Sequence, residues 1–307
     1  MLGRRVAERF GHVRLLADEV QEIAGAADLF IANLECCISD RGEPVRMPGK
    51  PFFFRAPPAA AEWLAEVGVS CVTLANNHVL DFGEEALADT LEHLRAAGVA
   101  FAGAGGDEAA ARAPAVLEAD GVRVRVVAVG DHPSSYAAGA ARPGIAFADL
   151  EADGVPAWLR WVAAPDADLT IVSPHWGPNM QPYPVPHVLH AAAALEAAGA
   201  TLIAGHSAHV PQGASGRTLF DLGDFLDDYR VDPDLRNDLG LLWLVTLDAG
   251  GPVRVEGVPL CLEFTHTRLA GADETQLLHS LLEDRCAAVG STVSREDDRL
   301  VFRPSSR

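Results

Sequence analysis

Basic side chains are scarce in this chain: 24 Lys and Arg stand against 43 Asp and Glu, a formal net charge of −19 over 307 residues. A nucleic-acid backbone is thereby excluded as the main partner, because counterion release needs a basic face. The acidity reads instead as a solvated surface. Long hydrophobic runs are also missing. No stretch of about 18 uncharged apolar residues occurs, and the nearest, residues 191–204, is interrupted by Glu196 and Gly199. No basic segment followed by an apolar one opens the chain, so no membrane segment is expected and a cytoplasmic setting is. Cysteine is sparse. Cys36, Cys37, Cys71, Cys261 and Cys286 are odd in number and contain no CxxC pair. Adjacent Cys36 and Cys37 make a poor disulfide, so reduced thiols are expected.

What is present alternates between two periods. A hydrophobic fraction of 49% and a charged fraction of 22% suit a folded globular protein, with room for one large core. Runs at 29–34, 69–74, 99–102, 169–173 and 201–204 read as strands. Segments 59–67, 84–97, 156–163 and 188–198 carry helical spacing, the second stopping at Gly98. Asp120-Gly121 between two Val-rich runs predicts a hairpin, and 241–247 with 253–262 predict antiparallel neighbours. The sum is a layered α/β domain over 1–270 with at least one largely parallel sheet. A small helix–strand appendage follows at 271–307, with its helix at 277–288 and its strand at 299–302. Segments 39–58 and 132–148 are long and rich in Gly and Pro, and loops of that length are usually functional or mobile.

Three short runs carry the chemistry: Leu74-Ala-Asn-Asn-His78 with Asp81, Ser173-Pro-His175-Trp-Gly177, and Gly205-His-Ser-Ala-His209. Each ends an apolar run in histidine, asparagine or carboxylate, and ligands of α/β sheets collect at the carboxyl ends of strands. A lone histidine is more often structural; three strand-end clusters point to one shared metal. Imidazole, carboxylate and amide oxygen are the ligand set of a divalent ion such as Zn, Mn or Fe. Glu35, Asn77, His175 and His209 each follow an apolar run and are the candidate ligands. Adjacent Asn77 and His78 point in different directions, so one can hold metal while the other acts as general acid, its tautomer fixed by Asp81. Asn77 and Asp81 also suit turn and N-cap positions of the helix that follows.

With Asn33-Leu-Glu35, Gly103-Ala-Gly105 and Asp221-Leu-Gly-Asp-Phe225 added to these runs, the chain resembles the CapA family from its first residue to about Leu247. These are capsule-synthesis or poly-γ-glutamate biosynthesis proteins within the calcineurin-like metallophosphoesterases. The resemblance implies an α/β/β/α sandwich of mixed sheets and two divalent ions, Mn, Fe or Zn. It also implies hydrolysis of a phosphoester-type bond in a small-molecule or polyanionic, polyglutamate-related substrate. Residue by residue, Glu35, Asn77, His175 and His209 match metal ligands and His78 the general acid. Asp224 stands where many relatives carry Asn and receives no role.

Two departures follow from the same comparison. The family opens with a strand ending in Gly-Asp, followed by residues much like Met1-Leu-Gly-Arg-Arg5. Its first carboxylate ligand and that strand are therefore expected to be absent, either because the start codon is set too late or because the site is incomplete. The family's last motif spaces its histidines two apart, whereas His206 and His209 are three apart, with Ser207 at the usual first position. Positions three apart on a strand face opposite sides, so His206 joins His209 on one metal only across a turn at Ser207-Ala208. Ser207 itself is a weak ligand. Two other readings stay open. One is a non-catalytic accessory or polymer-binding protein, with Arg41 to Arg55, including Arg46 and Lys50, as its basic groove. The other is an isolated, partly degenerate domain working on a small-molecule pathway.

Overall fold

The computed structural model describes residues 1–152, 155–156, 158–159 and 167–304. Two sheets face each other at its centre. The smaller is parallel and three-stranded, in the order Phe30–Asn33, Val69–Thr73, Ala100–Ala102. The larger has six strands, in the order Gly213–Ser215, Thr218–Asp221, Leu202–Ala204, Leu169–His175, Val122–Gly130, Ala115–Ala119. Its inner strands run parallel and its two outer pairs antiparallel. Val72 and Ala102 of one sheet, Leu74 just beyond it, and Val126 and Ala128 of the other sheet share a single core.

Helices Ala60–Glu66 and Gly83–Ala96 pack on the smaller sheet, and Pro186–Ala197 packs on the larger. This is the layered mixed-sheet α/β sandwich expected. The spacing of Leu87, Leu91 and Leu94 explains why Gly83–Ala96 docks as it does: all three are buried, each contributing about 1.5–3 kcal/mol. The expected hairpin is also there. Ala115–Ala119 and Val122–Gly130 pair through Asp120 and Gly121, whose φ angles of 50° and 77° are those a tight hairpin turn requires. The helix expected over 156–163 lies largely outside the described residues.

A third sheet, antiparallel, runs Leu239–Asp248, Gly251–Glu263, Arg299–Pro304, Ser291–Glu296, with His266–Leu269 beside the second of these. The segment beyond residue 271 is a helix, Ala272–Ala288, followed by the last two of these strands. Its Leu278, Leu282 and Cys286 share a core with Ile171, Leu202 and Leu241. All five cysteines are buried and free. Among the described residues no helix is long and apolar enough to cross a membrane.

Candidate metal centre

The carboxyl ends of six strands of the two facing sheets supply the site. Phe30–Asn33 leads into Glu35, and Val69–Thr73 into Asn76, Asn77 and His78. In the larger sheet, Leu169–His175 ends on His175, and Leu202–Ala204 leads to His206 and His209. Thr218–Asp221 precedes Asp224, and Val122–Gly130 precedes Asp131. Asn76 ties the first two ends together. Its amide donates to Asn33 Oδ1 at 3.1 Å and to the Leu34 carbonyl at 2.9 Å. Its own oxygen accepts the amides of His78 and Val79. Asn33 in turn donates to Glu35 Oε2 at 3.2 Å.

His78 is fixed on one edge and open on the other. Nδ1 lies 2.6 Å from Asp81 Oδ2, and Nε2 stands 3.9 Å from Glu35 Oε1. Lys50, from the loop between residues 39 and 58, lies 3.0 Å from Asp81 Oδ1 and donates to the Asn77 carbonyl at 2.6 Å. Tyr136, from the loop after 132, donates to the same Asp81 at 3.3 Å. Both long Gly/Pro-rich loops thus deliver side chains to the site. Asp81 is not a helix cap. The cap position belongs to Phe82, with no side-chain bond, while the Asp81 carboxylate takes the Phe54 amide at 2.7 Å.

The last motif turns where the histidine spacing demands it. Ser207 has φ 119° and His209 φ 62°, both left-handed, and the buried Asp221 accepts the Ala208 amide at 2.7 Å and the Gly223 amide at 2.8 Å. Ser207 donates its hydroxyl to the Gly177 carbonyl at 2.8 Å, which ties the turn to the end of the strand carrying His175. His206 pairs in parallel register with His175. His206, His209, Glu35 and Asp224 line one cavity. Asp224, which the sequence left without a role, sits 2.9 Å from His209 Nδ1. Carboxylates placed so fix the ring of a metal-ligating histidine.

Charge states follow from this packing. Burial pushes His175 well down, and the neighbouring imidazoles of His132, His206, His209 and His78 act in the same direction. Burial likewise brings His206 down to about 4 against the pull of Asp224. For His209 burial also opposes charge, but Asp224 outweighs it and raises the ring to about 10.

A divalent ion is implied by the motifs, and the donors present can be tested against it. Glu35 Oε1, Asn77 Oδ1, both ring nitrogens of His175 and Asp224 Oδ2 are buried without a hydrogen-bond partner. Buried polar atoms are rarely left so, and oxygen with imidazole nitrogen is the donor set of a borderline-hard ion. The donor chemistry fits. Among the described residues, however, no three His, Cys, Asp or Glu side chains form a metal-holding group by themselves.

Residues 1–229 match the model of a family described as bacterial capsule synthesis protein PGA_cap. The chain belongs to this family. It is similar, at 32% identity over 304 residues, to a "Probable polyglutamine synthesis accessory protein" of Mycobacterium tuberculosis (strain ATCC 25618 / H37Rv), covering 92% of this chain and 78% of that one. It is 27% identical to the "Capsule biosynthesis protein CapA" of Bacillus anthracis, over 78% of this chain and 59% of the relative. The "PGA biosynthesis protein CapA" of Bacillus subtilis (strain 168) is 26% identical, over 74% of this chain and 61% of the relative. In the sequence, Asn33 and Asn76 stood inside the motifs without a role of their own, and Lys50 was read only as part of a basic groove over Arg41 to Arg55. Tyr136 and Asp131 were not named, and only the length of the loop after 132 pointed toward Tyr136.

Proposed function

We propose that this chain is a metal-dependent hydrolase of phosphoester-type bonds, serving capsule or poly-γ-glutamate biosynthesis. The observation that carries the reading is that Glu35, Asn77 and His175 each bury an unpartnered donor atom, and that His78, next to Asn77, is already clamped by a carboxylate with its Nε2 3.9 Å from Glu35. Glu35, Asn77, His175 and, once an ion displaces its Nε2 proton, His209 would hold divalent ions, with His206 across the Ser207 turn. Such ions, when bound, supply an activated hydroxide and stabilise developing negative charge. The protein's own part is proton management and positioning. Asp81 holds Nδ1 of His78 so that Nε2 faces the site, where it can protonate the leaving oxygen. Lys50 and Tyr136 hold Asp81.

The cavity supports a further element of the same reading. Among the described residues, Phe30–Asn33 and Leu239–Asp248 lie at the ends of their sheets. Both line a space of about 890 Å³, largely apolar, that runs to Glu35, His209 and Asp224. We infer that a further strand seated between these edges would join the two sheets and end at the site, where a carboxylate is expected.

Metal analysis tests the reading. Purified protein supplied with Mn²⁺ is expected to retain it, and Glu35→Gln and His175→Ala are each expected to lose at least half of it. Wild-type protein that retains none sinks the reading. The alternative is an accessory protein, favoured by the name of the mycobacterial relative and by the unclosed donor set. Its basic groove, however, is largely engaged internally. Arg41 pairs with Asp89 and Glu85, Lys50 is committed to Asp81, and Arg55 bonds the Arg41 and Gly42 carbonyls.

A further inference from the structure

Asp131 stands at one of the six strand ends of the site and His132 follows it, and neither has a part in the proton transfer or metal holding described above. Strand Val122–Gly130 runs parallel to Leu169–His175 with Gly130 in register with His175, so the next two residues emerge beside that histidine. The Asp131 amide donates to the His175 carbonyl at 3.1 Å. The Asp131 carboxylate, almost fully out of solvent, is held by three groups. The Gly177 amide donates to Oδ2 at 2.9 Å, His187 Nε2 lies 3.3 Å from that oxygen, and His132 Nδ1 bonds Oδ1. His187 comes from the first turn of the helix Pro186–Ala197. Burying a carboxylate is costly unless its lone pairs are used, and this one is used to aim a histidine.

With Nδ1 engaged, the free nitrogen of His132 is Nε2, on the far edge of the ring from Asp131. The ring centroid lies 5.3 Å from that of His175. Its exposure distinguishes it. The His132 side chain is 35% accessible, whereas Glu35, His78, His175 and His209 are all buried. His132 therefore borders the buried donors and reaches solvent at the same time.

We propose that His132, aimed by Asp131, contacts the substrate, its Nε2 making a hydrogen bond to an oxygen of the phosphoester group presented beside His175. The assignment rests on the phosphoesterase reading for its substrate class, but it concerns a residue from a different strand end than His78 and no metal ligand.

Inorganic phosphate is the probe. Its affinity for the full chain is measured by titration calorimetry, first without and then with Mn²⁺, in wild type, His132→Ala and His132→Gln, with metal content followed by mass spectrometry. The expected result is phosphate binding about tenfold or more weaker in His132→Ala, partial recovery in His132→Gln, and unchanged metal content. Should His132→Ala melt early, His132→Gln is compared with wild type, alongside the shift of the His132 ring nitrogen signals when phosphate is added to wild type. Equal affinity in wild type and the His132 variants, or no phosphate binding by wild type in either state, overturns the proposal. Failure of the metal reading is visible separately. Wild type that retains no Mn²⁺, yet binds phosphate in a His132-dependent way, keeps this assignment and loses the metal centre.

Discussion

Nδ1 of His78 and Oδ2 of Asp81 stand 2.6 Å apart, and the same carboxylate receives the Phe54 amide, the Lys50 ammonium and the Tyr136 hydroxyl. One fully buried group thus anchors the loop carrying Lys50 and fixes the ring of His78. Asp81→Ala leaves the Lys50 charge buried without its carboxylate, at a cost of about 3–5 kcal/mol, measurable by urea unfolding. Asp81→Asn keeps the shape and loses the charge. It is expected to lower turnover of an aryl phosphodiester far more than it lowers the unfolding midpoint. Equal turnover in Asp81→Asn and wild type removes Asp81 from the mechanism.

Glu274 offers a pH-dependent prediction away from the site. Arg268 beside it, helped by the Gly271 amide and opposed by burial, holds its carboxyl down to about 2. A lowered folded-state pKa gives stability that is present above the unfolded value near 4.5 and lost as pH falls toward about 2. Glu274→Gln is expected to cost about 1 kcal/mol at pH 7, the pair being partly solvent-screened. The gap between wild type and variant in denaturant unfolding should narrow from about pH 4.5 downward. A gap independent of pH would show that the charge has no part in capping the last helix.

Gly205 sets the start of the turn that carries His206 and His209. A Cβ there would lie 2.0 Å from the Phe220 carbonyl oxygen and 2.6 Å from Trp176 Nε1. Backbone cannot yield as a flexible side chain can, so Gly205→Ala is expected to cost about 3 kcal/mol. It should weaken metal retention as well, because the clash displaces the turn. A variant with wild-type melting temperature and metal content contradicts this close packing.

Much of the frame was legible because period and punctuation agreed. The Leu87, Leu91, Leu94 stripe marks a helix, Gly98 ends it, and Asp120-Gly121 forms the hairpin turn in which it was expected. The order of site residues along the chain was legible as well, since each follows an apolar strand. What could not be read is set by contacts distant in sequence. Lys50 reaches Asp81 across 31 positions, Asn76 reaches Asn33 across 43, and His187 meets Asp131 across 56. Short strands such as Gly213–Ser215 and Cys37–Ile38 carry too few residues to show alternation. The partner of His209 was hidden for another reason: Asp224 is drawn to it only after the Ser207 turn reverses the chain.

The space between Phe30–Asn33 and Leu239–Asp248 carries its own prediction. A synthetic apolar β-strand peptide ending in Asp, added in trans, is expected to raise both the melting temperature and the metal retention of the 307-residue chain. A peptide of that character that changes neither quantity contradicts the seating of a strand between these two edges.

The central claim is that Asn77 and His78, adjacent in sequence, divide metal holding from proton donation. Parallel measurement of metal content and phosphodiester turnover in His78→Ala tests it most directly. The account predicts metal content equal to wild type and turnover lower by about 10²–10⁴-fold. Loss of the metal from His78→Ala, or turnover that stays at the wild-type level, would contradict it.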